Sequence, residues 1–451
     1  MKWLAEHAWV DGAWASQVLL EADASGHWQR VQAHATPQES QGAQPLGTVL
    51  PGMTNAHSHA FQRAMAGLAE RSERAQDDFW SWRERMYQVA LRIGPDALES
   101  VAAWLYAEML RAGYTQVCEF HYVHRDPQGH AYADPAEMAW ALVRAAQRTG
   151  MGLTLLPTVY MRQGFGQDSL NDTQRRFRAD PDFVLEVQAR LAQHGQNHRP
   201  GLLHSGVALH SLRAVPLSAL RDVDQALPQA PLHIHVAEQD KEVQDCLAHH
   251  GRRPIEWLAE QLPLNARWHL VHATHATPQE LRLLQQSGAT VVLCPTTEAN
   301  LGDGRFDWVT ALSLGLKGSV GTDSHVNRNW TEELRWLEYV QRLEWQQHNV
   351  SLLHQAGETA GRLFNWALDG GAAASGLPLR GLAVGQRADM VELDLSSDAL
   401  LGVPAAHVLD AWVFSTPSST VRRVFVGAQA VPDRRAELAP GFVQAMASLL
   451  S

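Results

Sequence analysis

Four short segments carry the groups able to hold a metal ion: Asn55-Ala-His57-Ser-His59, His233-Ile-His235-Val-Ala-Glu238, His272 and Gly321-Thr322-Asp323. In an extended backbone, residues two apart point to the same side. His57 and His59 can therefore aim both imidazoles at one ion. His233 and His235 also share a side, with His235 further along the run. A third imidazole and a carboxylate from distant parts of the chain would complete a shell of nitrogen and oxygen donors. Such a shell suits Zn2+, and also Fe2+ or Mn2+. The chain has 23 histidines, so one HxH pair alone could be the edge of a polar strand. The combination of two HxH pairs, a further histidine and an aspartate carries the metal reading. The chemistry open to such a centre is hydrolysis with metal-activated water. Glu238 lies three residues beyond His235, where it can face the same pocket as a proton donor. Its plainer role would be the first-turn acid of a helix.

These groups need elements that bring them together. From Gly47 onward, short apolar runs alternate with helical patterns, as βα units around a parallel sheet do. Eight runs are read: Gly47–Asn55, Thr115–Phe120, Gly152–Val159, Leu202–Leu209, Leu232–Val236, Trp268–His272, Thr290–Cys294 and Ser319–Thr322. The clearest helices between them are Pro95–Ala112, Pro135–Arg148 and Pro278–Ser287, each opening on a proline. Eight βα units predict an α/β chain built on a closed (β/α)8 TIM-like barrel, whose chemistry sits at the C-terminal strand ends. The metal-type residues fall at the ends of runs one, five, six and eight. Residues 1 to about 46 read as hairpins turning at Asp11-Gly12 and Ser25-Gly26. Strand-turn-strand patterns return after about residue 380. The two ends are expected to form one small β-sandwich, residues 1–48 with 380–451, beside a barrel of residues 49–379.

The four-part pattern resembles the amidohydrolase superfamily, whose members share a metal-bearing barrel of this kind. The resemblance spans nearly the whole chain, including the late GLAVGQRADMVELD segment. It implies His57, His59, His235 and Asp323 as metal ligands, with His272 and Glu238 acting on substrate. HxH with a downstream HxxE is typical of the deaminase-like branch. On that reading Asp323 accepts a proton from water, Glu238 protonates the leaving nitrogen and His272 polarises the substrate. Two-metal members bridge their ions with a carboxylated lysine or an acid at a strand end. The only lysines are Lys2, Lys241 and Lys317, and none is expected at such an end. Glu119 does end the second run, but it is read as a buried partner for an Arg or His. One divalent ion is therefore expected, Zn2+ before Fe2+ or Mn2+.

The segments HSHAFQRAMAGL and FWSWRERMY, with Glu119-Phe-His121-Tyr122 and Ala208-Leu-His210-Ser-Leu-Arg213, narrow the resemblance to the formimidoylglutamate deiminase group. This implies a small dicarboxylate amidine as substrate, hydrolysed to the N-formyl compound and ammonia in histidine breakdown. Arginine suits a carboxylate because its planar fork can donate two parallel hydrogen bonds. By resemblance, Gln62, Arg83, Tyr122, His210 and Arg213 would hold the two carboxylates. Arg83 could instead belong to a solvated mixed-charge face, and His121 and His124 are read as satisfied loop histidines. The Trp-rich loop Phe79–Tyr87 would be a lid or the cap of the barrel core. The alternative is another deaminase or chlorohydrolase of the superfamily, acting on a purine, pyrimidine or triazine ring.

Composition excludes other classes. At 451 residues and 45% hydrophobic, the chain can bury a large core. A net charge of −11 leaves no basic footprint for nucleic acid. Three scattered cysteines form no disulfide framework, which fits a reducing cytoplasm. No signal peptide or membrane-spanning run is read. Superfamily members of this shape are often dimers, so the resemblance implies a homodimer.

Overall fold

In the computed structural model, described here for residues 1–68, 70, 79–416 and 420–451, the chain forms two sheets. The barrel strands run in order Met53–Ser58, Tyr114–His121, Gly152–Val159, Leu203–Ser205 with Val207–Ser211, Leu232–Val236, Trp268–His272, Thr290–Leu293 and Gly318–Val320. Neighbours pair in parallel throughout. The ring closes between first and eighth strands at the residues singled out for chemistry. Ser58 and Asp323 form a parallel bridge. The amides of Thr322 and Asp323 donate to the His57 carbonyl at 3.1 and 3.0 Å. The barrel wall and the metal-type residues are thus one construction.

The small β unit drawn from both ends is a seven-stranded mixed sheet. Its order is Gln429–Val431, Val421–Val426, Met390–Leu393, Gln44–Pro51, Lys2–Val10, Ala13–Ala22 and Trp28–Gln32. Gln44–Pro51 lies at its centre, parallel to the first strand and antiparallel to Met390–Leu393. A separate core fills one face, where the Trp3 ring meets Trp28 and Phe425 edge-on at 6.0 and 5.7 Å. Edge-to-face packing at such distances is the favoured aromatic geometry.

Some elements differ from the expected ones. The run Gly47–Asn55, read as one strand, is two. The part to Pro51 belongs to the terminal sheet, and the barrel strand begins at Met53. The chain changes sheets at Gly52, where a Cβ would sit 2.3 Å from the Thr115 side chain. Likewise the fourth run is split at Gly206, where a Cβ would meet the Pro231 carbonyl oxygen at 2.4 Å. The helix expected from Pro135 starts at Glu137. Phe79–Tyr87, expected as a loop, opens the helix Phe79–Arg92. Met86, Val89 and Ala90 are buried on it, a spacing that gives one apolar face. That face packs on the 3-10 turn Ala60–Met65.

Two close approaches fix the barrel's first and last strands. In the helix Thr359–Ser375, a Cβ on Gly370 would lie 1.8 Å from the Gly318 carbonyl oxygen, and one on Gly371 would lie 2.8 Å from Thr54. The bare backbone lets this helix lie directly on the strand pair that carries His57 and Asp323. Arg387 and Asp389, from the late GQRAD segment, form a buried pair at 2.6 Å. Arg387 also donates to Gln116 Oε1 and the Gly201 carbonyl at 2.9 and 2.7 Å, tying the terminal sheet to the barrel.

Candidate functional site

At the barrel mouth the side chains of His57, His59, His235 and Asp323 converge. Nε2 of His57 and Nε2 of His59 each lie 3.3 Å from Asp323 Oδ1. Nε2 of His235 lies 3.1 Å from Nε2 of His57. All four residues are buried. The other nitrogen of two rings is committed: His59 Nδ1 donates to the Phe120 carbonyl at 2.8 Å and His235 Nδ1 to the His210 carbonyl at 2.9 Å. A carbonyl oxygen only accepts, so in the neutral ring both Nε2 atoms are bare lone pairs. Burial holds these rings neutral. It pushes His57 down to about 3, His59 below the usual value and His235 well below it. His57 Nδ1 has no hydrogen-bond partner among the described residues. Lone pairs and a carboxylate oxygen aimed at one point repel one another unless a cation lies between them. Three imidazoles and an aspartate are the donor set of a divalent ion, so these residues fit the metal the sequence implies.

The backbone pays strain to aim two of these groups. His272 and Asp323 sit at φ +69° and +46°, in the left-handed region that residues other than glycine seldom adopt. The turn at each strand end points its side chain across the mouth. His272 places Nε2 3.8 Å from Glu238 Oε1 and Nδ1 3.2 Å from Glu298 Oε1. Burial alone would lower its pKa, but the carboxylates of Glu238, Glu298 and Asp323 override that and raise it to about 10. Burial raises the Glu238 carboxyl above its ordinary value, against the pull of His272 and Arg213. Glu238, its carboxyl raised by burial and 3.8 Å from the His272 ring, is suited to proton transfer.

Glu298 was not singled out from the sequence. It follows the seventh strand, in Pro-Thr-Thr-Glu298, and also accepts from the Cys294 amide at 2.8 Å. The signal for it was the acid just past a barrel strand's C-terminal end.

One cavity joins this cluster to the other predicted residues. His59, His235, Glu238, His272 and Asp323 line one side, and Gln62, Arg83, Tyr122, His210 and Arg213 line the rest with Trp82, Met86 and Leu301. Gln62 donates to Tyr122 OH at 2.9 Å. Arg83 lies 3.3 Å from Tyr160 OH and over the Tyr87 ring at 5.2 Å. Tyr160 packs on the His210 ring, centroids 4.3 Å apart. Tyr160, which no sequence motif marked, and Tyr87, the last residue of FWSWRERMY, thus brace the expected carboxylate-binding groups.

Glu119 differs from its expected pairing with an Arg or His. It accepts from Ser58 Oγ at 2.6 Å, from the Ala60 amide and from Tyr106 OH at 3.3 Å. It therefore holds both neighbours of His59, Ser58 by its hydroxyl and Ala60 by its backbone amide. Of the two histidines read as satisfied, His124 bonds the Thr158 carbonyl at 3.0 Å, whereas His121 Nε2 is buried without a partner among the described residues. His233 turns away from the mouth, 2.9 Å from the Ala374 carbonyl. Lys241 pairs with Asp245 on the helix Asp240–His250, outside the cavity.

Burial pushes the Glu119 carboxyl up to about 8, against the pull of its three hydrogen bonds. A carboxyl with a raised folded-state pKa favours the fold while protonated, and that contribution fades as pH rises through the folded value. Between the ordinary 4.5 and about 8, the metal-free wild type loses melting temperature more steeply than Glu119→Gln. Equal slopes for the two proteins would contradict this.

Comparison with known proteins agrees with the geometry. The model of the amidohydrolase family matches residues 48–431. The chain is 45% identical to a formimidoylglutamate deiminase of Pseudomonas aeruginosa, covering 99% of each chain. It is 27% identical to a 5-methylthioadenosine/S-adenosylhomocysteine deaminase of Halobacterium salinarum, over 86% of this chain and 81% of that one. Among solved structures, an amidohydrolase from Brucella melitensis superposes with a TM-score of 0.93 at 41% identity, covering 100% of both chains.

Proposed function

The chain belongs to the amidohydrolase family, and from that premise we propose that it hydrolyses N-formimidoyl-L-glutamate to N-formyl-L-glutamate and ammonia. One observation carries the reading beyond the family. Two arginines, Arg83 and Arg213, face the same cavity as the histidine–aspartate cluster. A linear amidine with two carboxylates supplies partners for both arginines and places its C–N carbon at the cluster. A flat, uncharged ring brings no carboxylate to either.

His57, His59, His235 and Asp323 would hold one divalent ion, Zn2+ by its preference for histidine with one carboxylate. Such an ion, when bound, lowers the pKa of a coordinated water to about 7. The protein's own groups do the rest. Arg83, Arg213, His210, Tyr122 and Gln62 orient the substrate through its carboxylates. Asp323 is placed to take the proton from the attacking water. His272, held by Glu298 at 3.2 Å, stabilises charge that develops on the substrate. Glu238 passes its proton to the terminal nitrogen, so that nitrogen departs as ammonia and the carbon keeps the new oxygen. We place the reaction in the cytoplasmic breakdown of L-histidine. No helix among the described residues is long and apolar enough to cross a membrane.

Ammonia release from purified enzyme, measured with formimidoylglutamate and with adenosine-type and triazine substrates, tests the proposal directly. Turnover of a ring compound alone would overturn it. Arg213→Met removes a charged hydrogen-bonding partner worth about 1.5–3 kcal/mol. It lowers kcat/KM on formimidoylglutamate by about 10- to 150-fold. A ring deaminase would lose little.

A further inference from the structure

The turn after the fifth barrel strand carries a second buried carboxylate that the scheme above leaves unused. Glu242 sits in the first turn of the helix Asp240–His250, four residues beyond Glu238, with its side chain 1% exposed. Its Oε2 accepts from the backbone N–H of Glu238 at 3.3 Å and lies 4.0 Å from Nε of Arg213. Oε1 of Glu242 and Nε of Arg213 are both buried without a hydrogen-bond partner among the described residues. One carboxylate therefore touches the backbone of the proposed proton donor on one side and the proposed carboxylate clamp on the other.

An acid needed only to start the helix could do so from the surface. A buried charge is costly unless it is paired. Among the described residues, the ion-pair partner the structure gives Glu242 is Arg213. The pair stands slightly apart, with a donor and an acceptor unspent. Arg213 can turn toward a substrate carboxylate while Glu242 steadies its Nε side.

We propose that Glu242 is a positioning residue that couples occupancy of the Arg213 subsite to the placement of Glu238. The inference rests on the deiminase reading and deepens it. A substrate carboxylate on Arg213 fixes the guanidinium, the guanidinium fixes Glu242, and Glu242 holds the N–H of Glu238. Binding energy from a remote carboxylate is thereby spent on orienting the proton donor, so removing that carboxylate costs kcat and not only KM.

Steady-state kinetics on three substrates test this: N-formimidoyl-L-glutamate and two analogues, each lacking one carboxylate. Glu242→Gln keeps the length and an acceptor for the Glu238 N–H but removes the charge beside Arg213. In the wild type, kcat for the analogue missing the Arg213-bound carboxylate is lower than for the parent by about tenfold or more. In Glu242→Gln the parent's kcat falls to within about threefold of that analogue, whose own kcat does not change. A variant that changes KM alone, or that lowers kcat by one factor on all three substrates, overturns the proposal. Should Glu242→Gln fail to fold, Glu242→Asp keeps the charge but draws the oxygen back from the Glu238 N–H. It then lowers the parent's kcat with KM held, and the opposite split overturns the coupling. A wild type that releases ammonia from none of the three would instead sink the deiminase reading, and this inference with it.

Discussion

Glu238→Gln lowers kcat on formimidoylglutamate by about 10²- to 10⁴-fold, while metal content per chain stays at the wild-type value. The separation of the two readouts follows from position. Glu238 Oε1 lies 3.8 Å from His272 Nε2, and the carboxyl is raised above its ordinary range by burial. It is not among the groups of donors that converge on His57, His59 and His235. The glutamine is close in shape and can still accept a hydrogen bond, but it cannot hand over a proton. The leaving nitrogen must then depart with a proton drawn from solvent. KM moves little, because the carboxylates of the substrate are held elsewhere. Unchanged kcat with intact metal content would remove Glu238 from the reaction. Loss of metal together with activity would make it a ligand instead.

Stripping the metal with a chelator abolishes turnover, and Zn2+, Fe2+ or Mn2+ restores it to different extents. His235→Ala is expected to behave like the stripped protein even with metal present. Activation of water by a divalent ion supplies several kcal/mol, so kcat falls by more than about a thousandfold. The apo site explains why the dependence is so steep. Without a cation, the lone pairs of His59 and His235 face each other and Asp323 Oδ1 across a buried space. Metal binding relieves that repulsion as well as creating the reactive centre. The restored protein therefore melts at a higher temperature than the stripped one, by RT ln(1 + [L]/Kd) converted through the unfolding entropy. Full activity after exhaustive chelation, with metal shown absent by elemental analysis, would end the metal-dependent account.

Much of this site was legible in the sequence because strand geometry is simple. Two-residue spacing put His57 and His59 on one side, and the barrel rule put His235, His272 and Asp323 at strand ends facing the same mouth. What escaped depended on contacts between distant segments. Glu298 meets His272 only because strands six and seven are neighbours, and nothing in Pro-Thr-Thr-Glu298 announces that. Glu119 was legible as a buried acid but not as the clamp on Ser58 and Ala60, since its partners lie on another strand. Tyr87 and Tyr160 brace Arg83 and His210 from a helix and from the end of the third strand. The Trp-rich helix was read as a loop because its aromatic cluster masked the apolar spacing of Met86, Val89 and Ala90. The single run Gly47–Asn55 hid a change of sheet at Pro51-Gly52, a dipeptide that marks breaks but here sits inside an apolar run; the close approach of Thr115 leaves no room for a side chain at Gly52.

The central place of Gln44–Pro51 in the terminal sheet has a consequence for how the protein is made. One edge of that strand is covered early, by Lys2–Val10, but the other pairs with Met390–Leu393. A ribosome must therefore deliver almost the entire polypeptide before this sheet can be finished. Until then an open strand edge, prone to pair with another nascent molecule, sits two residues upstream of the strand bearing His57. Slowing translation after the barrel has emerged should aggravate aggregation, and supplying residues 380–451 in trans should suppress it.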